Sequence, residues 1–133
     1  MNSFIRRVPR ADRERGQATL ELALCLPLVA FVLAAVTETG LLVGDQMRLW
    51  HAAREAARSA VVDPDPDAAR RAVARAGLEN AEVSVTPSGA ARSAGEPLTV
   101  RLSLQPGGTT PLVGRLFSSI ELHADATMRI ELP

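Results

Sequence analysis

An α+β fold built on one very long N-terminal helix is the architecture this chain of 133 residues predicts. Three observations carry that prediction. An uncharged apolar run covers Leu22–Val36, a helical spacing of alanines and leucines continues to about Val62, and strict apolar–polar alternation follows over Leu98–Leu104. The length allows one small domain plus an anchor and leaves no room for a large enzyme core.

The apolar run contains nine Leu, Val or Phe among its fifteen residues. Each favours insertion by about 0.3 to 0.6 kcal/mol at a bilayer centre, so the segment gains about 3 to 5 kcal/mol, more than one carboxylate near an interface loses. A hydrocarbon core needs about 20 residues of helix. The span is therefore read as 17–44, with Glu38 near its far interface. Pro27 is expected to kink or loosen this helix, because it removes an amide donor and crowds the preceding turn.

Residues 45–62 continue the helix as an amphipathic extension. Leu49, Ala53, Ala56 and Ala60 share one face, whereas Met47, Trp50 and Arg54 share another. Trp50 suits either an interfacial anchor or the core of an outer domain. Membrane half and amphipathic half make one rod, with some irregularity expected at Gly40 and Gly44.

Asp63-Pro64-Asp65-Pro66-Asp67 ends that rod, since a residue before proline avoids helical geometry. It is not a calcium loop, because Ala68 and Ala74 stand where such a loop needs Gly and Glu. It reads instead as a linker in which Asp65 caps and Pro66 opens a short helix, 66–76, ended by Gly77. Three strands follow, at Ala81–Thr86, Leu98–Leu104 and Ile120–Glu131, for a small antiparallel sheet. Ser88–Glu96 and Pro106–Thr110 are connections, and Pro111–Phe117 is a short helix or turn placing Leu112, Leu116 and Phe117 under the sheet. Residues 63–133 thus form a small α+β domain.

Charge points to targeting. Net charge is zero, but residues 1–16 carry +3 and the remainder −3. A basic head before an apolar run is a membrane-targeting layout, not a nucleic-acid footprint. With only four aromatics there is no platform for stacking nucleic-acid bases. The positive-inside rule sets the leader, 1–16, in the cytoplasm and the C-terminal domain outside, although Arg48, Arg54 and Arg58 oppose it slightly and read as a solvated helix face. Cys25 lies in the apolar run and is expected to be a small buried hydrophobe, because Leu24 beside it does not suit lipid modification. Arg6-Arg7 lacks the hydrophobic continuation of a twin-arginine signal. His51 and His123 stand far apart with no ligating neighbour, Ser118-Ser119 lack a nucleophile elbow, and Gly107-Gly108 lack the lysine of a phosphate cradle. No catalytic, cofactor-binding or metal constellation is recognisable, and no enzyme is predicted.

The densest signal is Arg15-Gly16-Gln17-Ala18-Thr19-Leu20-Glu21, set directly against the apolar run. It joins a basic leader, a small residue suited to cleavage and one carboxylate at the mouth of a membrane helix. With Leu22-Ala23-Leu24, Leu26-Pro27-Leu28, Glu38-Thr39-Gly40, Ala52-Ala53-Arg54-Glu55-Ala56-Ala57-Arg58 and Ala124-Asp125-Ala126-Thr127-Met128-Arg129, it resembles the TadE-like family of pseudopilins of tight-adherence (Flp-type) pilus systems. The motifs lie in order over about 13–131. Leu22 and Thr39 stand where that family often has an aromatic residue.

The resemblance implies a pilin-like fold and cutting between Gly16 and Gln17 by a membrane aspartyl prepilin peptidase. It implies a role as a minor subunit or assembly factor, with other pilin or pseudopilin subunits, the pilus assembly machinery and the lipid bilayer as partners. Glu21 becomes the fifth residue of the mature chain, able to offset the new ammonium of a neighbouring subunit. Its alternative role is an interfacial carboxylate that ends the helix. Pro27, Glu38, Gly40, Arg54, Glu55 and Arg58 are candidates for packing or docking; for the last three a solvated face is preferred. Two other readings stay open: an uncut signal anchor carrying a ligand- or partner-binding domain, and a secreted protein cut near Val32-Leu33-Ala34.

Overall fold

A computed structural model describes residues 10–107, 114–117 and 119–131, with side chains from 16 onward except those of 90, 116 and 117. The elements in chain order are α1 (Arg10–Val62), α2 (Ala68–Arg75), β1 (Glu82–Thr86), a 3-10 turn at Gly89–Ala91, β2 (Pro97–Leu104), α3 (Gly114–Phe117) and β3 (Leu122–Arg129). The predicted α+β class is what forms: a long N-terminal helix, a short second helix and a three-stranded antiparallel sheet. Two compact units divide the chain, Met1–Val36 and Thr37–Pro133.

In the first unit the described side chains of α1 are exposed, apart from the half-buried Ala34 and Ala35. Leu20, Leu22, Leu24, Leu26, Leu28, Val29, Phe31, Val32, Leu33 and Val36 all face outward. An apolar helix surface of this kind suits lipid, and among the described residues α1 is the one helix long and apolar enough to cross a membrane. Cys25 is likewise exposed and not buried in the chain as expected, because nothing packs around this stretch. The helix continues through Pro27. Having no N–H, Pro27 leaves the Ala23 carbonyl without its usual donor four residues on.

The second unit holds the core. Sheet order is β1-β2-β3, so β2 is central, and both pairings are antiparallel. Val100 sits between Val85 and Ala126, and Leu102 between Val83 and Ala124, all on one face. That face joins Leu49, Ala52, Ala53, Ala56, Ala57, Ala60 and Val61 of α1 and Ala69, Ala72 and Val73 of α2 in a single apolar cluster. The helices contribute mostly methyl groups together with Leu49, Val61 and Val73, while β2 contributes Leu98, Val100 and Leu102. Alternation over Leu98–Leu104 puts Thr99, Arg101 and Ser103 on the opposite face, where the Thr99 and Thr127 hydroxyls meet across the strands at 2.8 Å.

Two of the expected details differ. α2 opens at Ala68, not Pro66, with Asp67 in the N-cap position but making no side-chain cap. Asp65 caps the preceding turn instead: its Oδ1 accepts the Asp67 N–H at 2.9 Å and its carbonyl accepts the Ala68 N–H at 3.0 Å. Asp63 repeats the move, accepting the Asp65 N–H at 3.0 Å. The expected packing of Leu112, Leu116 and Phe117 lies outside the described side chains, although α3 does form at Gly114–Phe117.

Gly77 ends α2 as predicted. Its φ of +76° lets its own N–H reach the Ala74 carbonyl (2.9 Å) and the Leu78 N–H reach Val73 (3.3 Å), folding Leu78 back against the core. A Gly77→Ala chain should lose about 1 kcal/mol of stability, read as a lower urea midpoint at unchanged slope. No atom lies within 4 Å of the added Cβ, so backbone strain alone would account for the loss.

Candidate functional site

The candidate residues all lie on α1. Gly16 is exposed, sits inside the helix, and has nothing within 4 Å of where a Cβ would stand. Neither a positive φ nor a close neighbour within the chain requires glycine there, and alanine would favour a helix by about 1 kcal/mol. Gly40 and Gly44 are open in the same way.

One turn along, the Gln17 side-chain amide donates to Glu21 Oε1 at 3.1 Å. A carboxylate at the mouth of an apolar helix thus has one amide donor and remains exposed. Sequence spacing had set Gln17 and Glu21 one turn apart; the hydrogen bond between their side chains is the structure's addition.

Glu38 is the sharpest departure from a plain membrane span. It is 3% exposed, the one buried charged side chain among the described residues, and it is not without a partner. No buried side-chain N or O among the described residues lacks a hydrogen-bond partner. An ionisable group taken from water is tolerated only when bonded in this way. Arg54, Glu55 and Arg58 are all exposed, on the side of α1 away from its alanine stripe, and no salt bridge among the described residues engages them. Trp50 is exposed as well, which removes the core alternative.

Two arginines that sequence reading passed over fix the end of α1. Arg92 donates from Nη1 to the Ala60 carbonyl (3.1 Å) and the Asp63 carbonyl (3.5 Å), and from Nε to Pro87 (3.4 Å). A cation on the last carbonyls of a helix meets its negative end. Arg71 grips two of the three linker acids, Asp65 at 2.7 Å and Asp63 at 3.1 Å. The Asp67 N–H, and after it Arg71, hold the Asp65 carboxyl below its ordinary range, while Asp65 raises Arg71. A depressed carboxylate stabilises the fold above its unfolded-state value, and that contribution is lost as pH falls through the lowered one. The acid limb of a melting-temperature profile should accordingly be shallower in Arg71→Met than in the parent. It should not become flat, because the Asp67 N–H remains.

A family model described as TadE-like protein matches residues 16–58. No curated protein and no solved structure matches the chain. The match opens on Gly16, closes on Arg58, and takes in Gln17, Glu21, Pro27, Glu38, Gly40, Arg54 and Glu55. It is shorter than the 13–131 over which the motifs resemble the family, and the Ala124–Arg129 motif falls beyond it on β3. Together with the apolar helix it fits a pilus-associated, single-pass membrane protein. Over residues 16–58, about a third of its length, the chain is similar to the TadE-like family.

Proposed function

We propose that the chain is a membrane-anchored pseudopilin that takes part in assembling a tight-adherence (Flp-type) pilus or a related secretion apparatus. A prepilin peptidase cuts it between Gly16 and Gln17, on the cytoplasmic side where the arginine-rich leader lies. One observation carries this reading: Gly16 is open on all sides and five residues ahead of Glu21, at the foot of a helix bare to lipid. Cleavage there gives Gln17 an ammonium one helical turn from Glu21.

In an apolar bundle, a second subunit's Glu21 offsets that ammonium when the two chains sit at the right height. An unpaired charge at that depth loses several kcal/mol. Glu21 thereby acts as a register mark. Gly40, exposed at the outer end of the span, serves packing with neighbouring subunits, Glu38 is buried within its own chain, and Arg54, Glu55 and Arg58 form surface. The remainder of the second unit is displayed outside the cytoplasmic membrane.

The deciding experiment is intact mass of the membrane-extracted protein from cells carrying the matching prepilin peptidase. A mature chain beginning at Gln17 is expected. An intact Met1 would make the protein an uncut signal anchor, and a start near Ala35 would make it a secreted one.

A further inference from the structure

The proposed cut leaves glutamine as the first residue of the mature chain, and an N-terminal glutamine is chemically labile. At neutral pH part of a free α-amine is uncharged and nucleophilic. Its nitrogen attacks Cδ of its own side-chain amide, the bond from Cδ to Nε2 breaks, and a proton passes from the amine to Nε2. Ammonia leaves and a lactam ring, pyroglutamate, remains. No oxidant, reductant or other reactant takes part. The lactam nitrogen is not basic, so the terminal charge disappears as it does on acetylation. A chain that had cyclised in this way would have no ammonium for a neighbouring Glu21 to meet.

The hydrogen bond at the foot of α1 opposes that reaction. Gln17 and Glu21 are both exposed and stand one turn apart on the same side of the helix. The Gln17 Nε2 donates to Glu21 Oε1 at 3.1 Å. To close the ring, Cδ must swing back onto the backbone nitrogen of residue 17. The bond to Glu21 draws the amide the other way, along the helix toward residue 21. A hydrogen bond to an ionised acceptor is the stronger kind, and it must break before the ring can close.

Resting on the reading that the chain is cut after Gly16, we propose that Glu21 preserves the charged N-terminus of its own chain by holding the Gln17 amide away from the new amine. Glu21 is a positioning residue in this role, since it acts through the side chain of Gln17. The role is compatible with pairing between subunits. A carboxylate has two oxygens, so Oε1 holds its own chain's amide while Oε2 meets the ammonium of a second copy.

The mature chain is purified in detergent from cells that carry the matching prepilin peptidase and lack glutaminyl cyclase. It is then held at neutral pH while intact mass is followed. The parent is expected to begin at Gln17 with its amide retained. Glu21→Ala is expected to lose one ammonia about three to ten times faster, the loss mapping to the N-terminal peptide. A parent that already lacks the ammonia when isolated overturns the proposal. So does a Glu21→Ala rate equal to the parent's, and so does a slower one, which would make Glu21 a base that promotes closure. If Glu21→Ala escapes cutting, Glu21→Gln takes its place: a neutral acceptor holds the amide less firmly, and a rate no faster than the parent's again overturns the proposal. An intact Met1 or a start near Ala35 refutes the processing reading itself, and the proposal with it.

Discussion

A Gly16→Val chain is expected to reach the membrane and stay there at full length, with no Gln17 terminus detectable by intact mass. The effect should be all-or-none, and the fold should not share in it. Gly16 is exposed, nothing lies within 4 Å of its Cβ position, and valine is if anything the better helix former by a few tenths of a kcal/mol. Normal amounts of uncut, inserted protein would locate the requirement in the peptidase. If Gly16→Val is cut as before, the proposed processing site is wrong. Glu21→Gln gives the complementary result. Removing an exposed carboxylate from the foot of the span eases insertion, so cleavage should persist while recovery in the assembled complex falls sharply. Undiminished assembly would leave Glu21 as no more than the helix-ending carboxylate that sequence reading kept as its alternative.

Leu102→Ala should have the largest effect on stability. Leu102 is fully buried at the centre of β2, flanked by Val83 and Ala124. Truncating such a leucine loses about 2 to 5 kcal/mol, because the surroundings relax only partly into the space. A small domain has about 5 to 15 kcal/mol in total. Each kilocalorie lowers the melting temperature of a domain this size by about 4 to 8 °C, so a drop of about 10 °C or more is expected in detergent-solubilised protein. The neighbouring Thr99→Ala change, on the polar face of the same strand, should move the midpoint far less, and equal losses would contradict the core assignment.

Much of this was legible in the sequence for a physical reason: it rests on periodicity. Alternation in Leu98–Leu104 foretold which side of β2 is buried, and spacing set Leu49, Ala53, Ala56 and Ala60 on one face of α1 and Trp50 on another, of which the structure buries the first. Gly77 and the Asp-Pro linker are local signals and ended their helices where expected. What stayed hidden depends on partners distant in the chain. Arg92 lies in a Gly- and Ser-containing connection and caps a helix 32 residues earlier; nothing local separates it from any loop arginine. Arg71 is one of three arginines on α2, and only the fold brings two aspartates to it. For Glu38 a sequence gives the residue but not its environment, and burial is a tertiary property.

The alanine stripe on α1 has an entropic consequence. A methyl group has no rotamers to freeze, so Ala52, Ala53, Ala56, Ala57 and Ala60 enter the core without any loss of side-chain freedom. They also bring little apolar area, so the favourable burial must come from the leucines and valines opposite them. Helix positions set the contact distance at almost no entropic cost, and sheet positions provide the cohesion. Substitutions on the two sides should therefore fail differently: enlarging Ala56 would act as a wedge, while trimming Leu98 or Leu102 would leave a void.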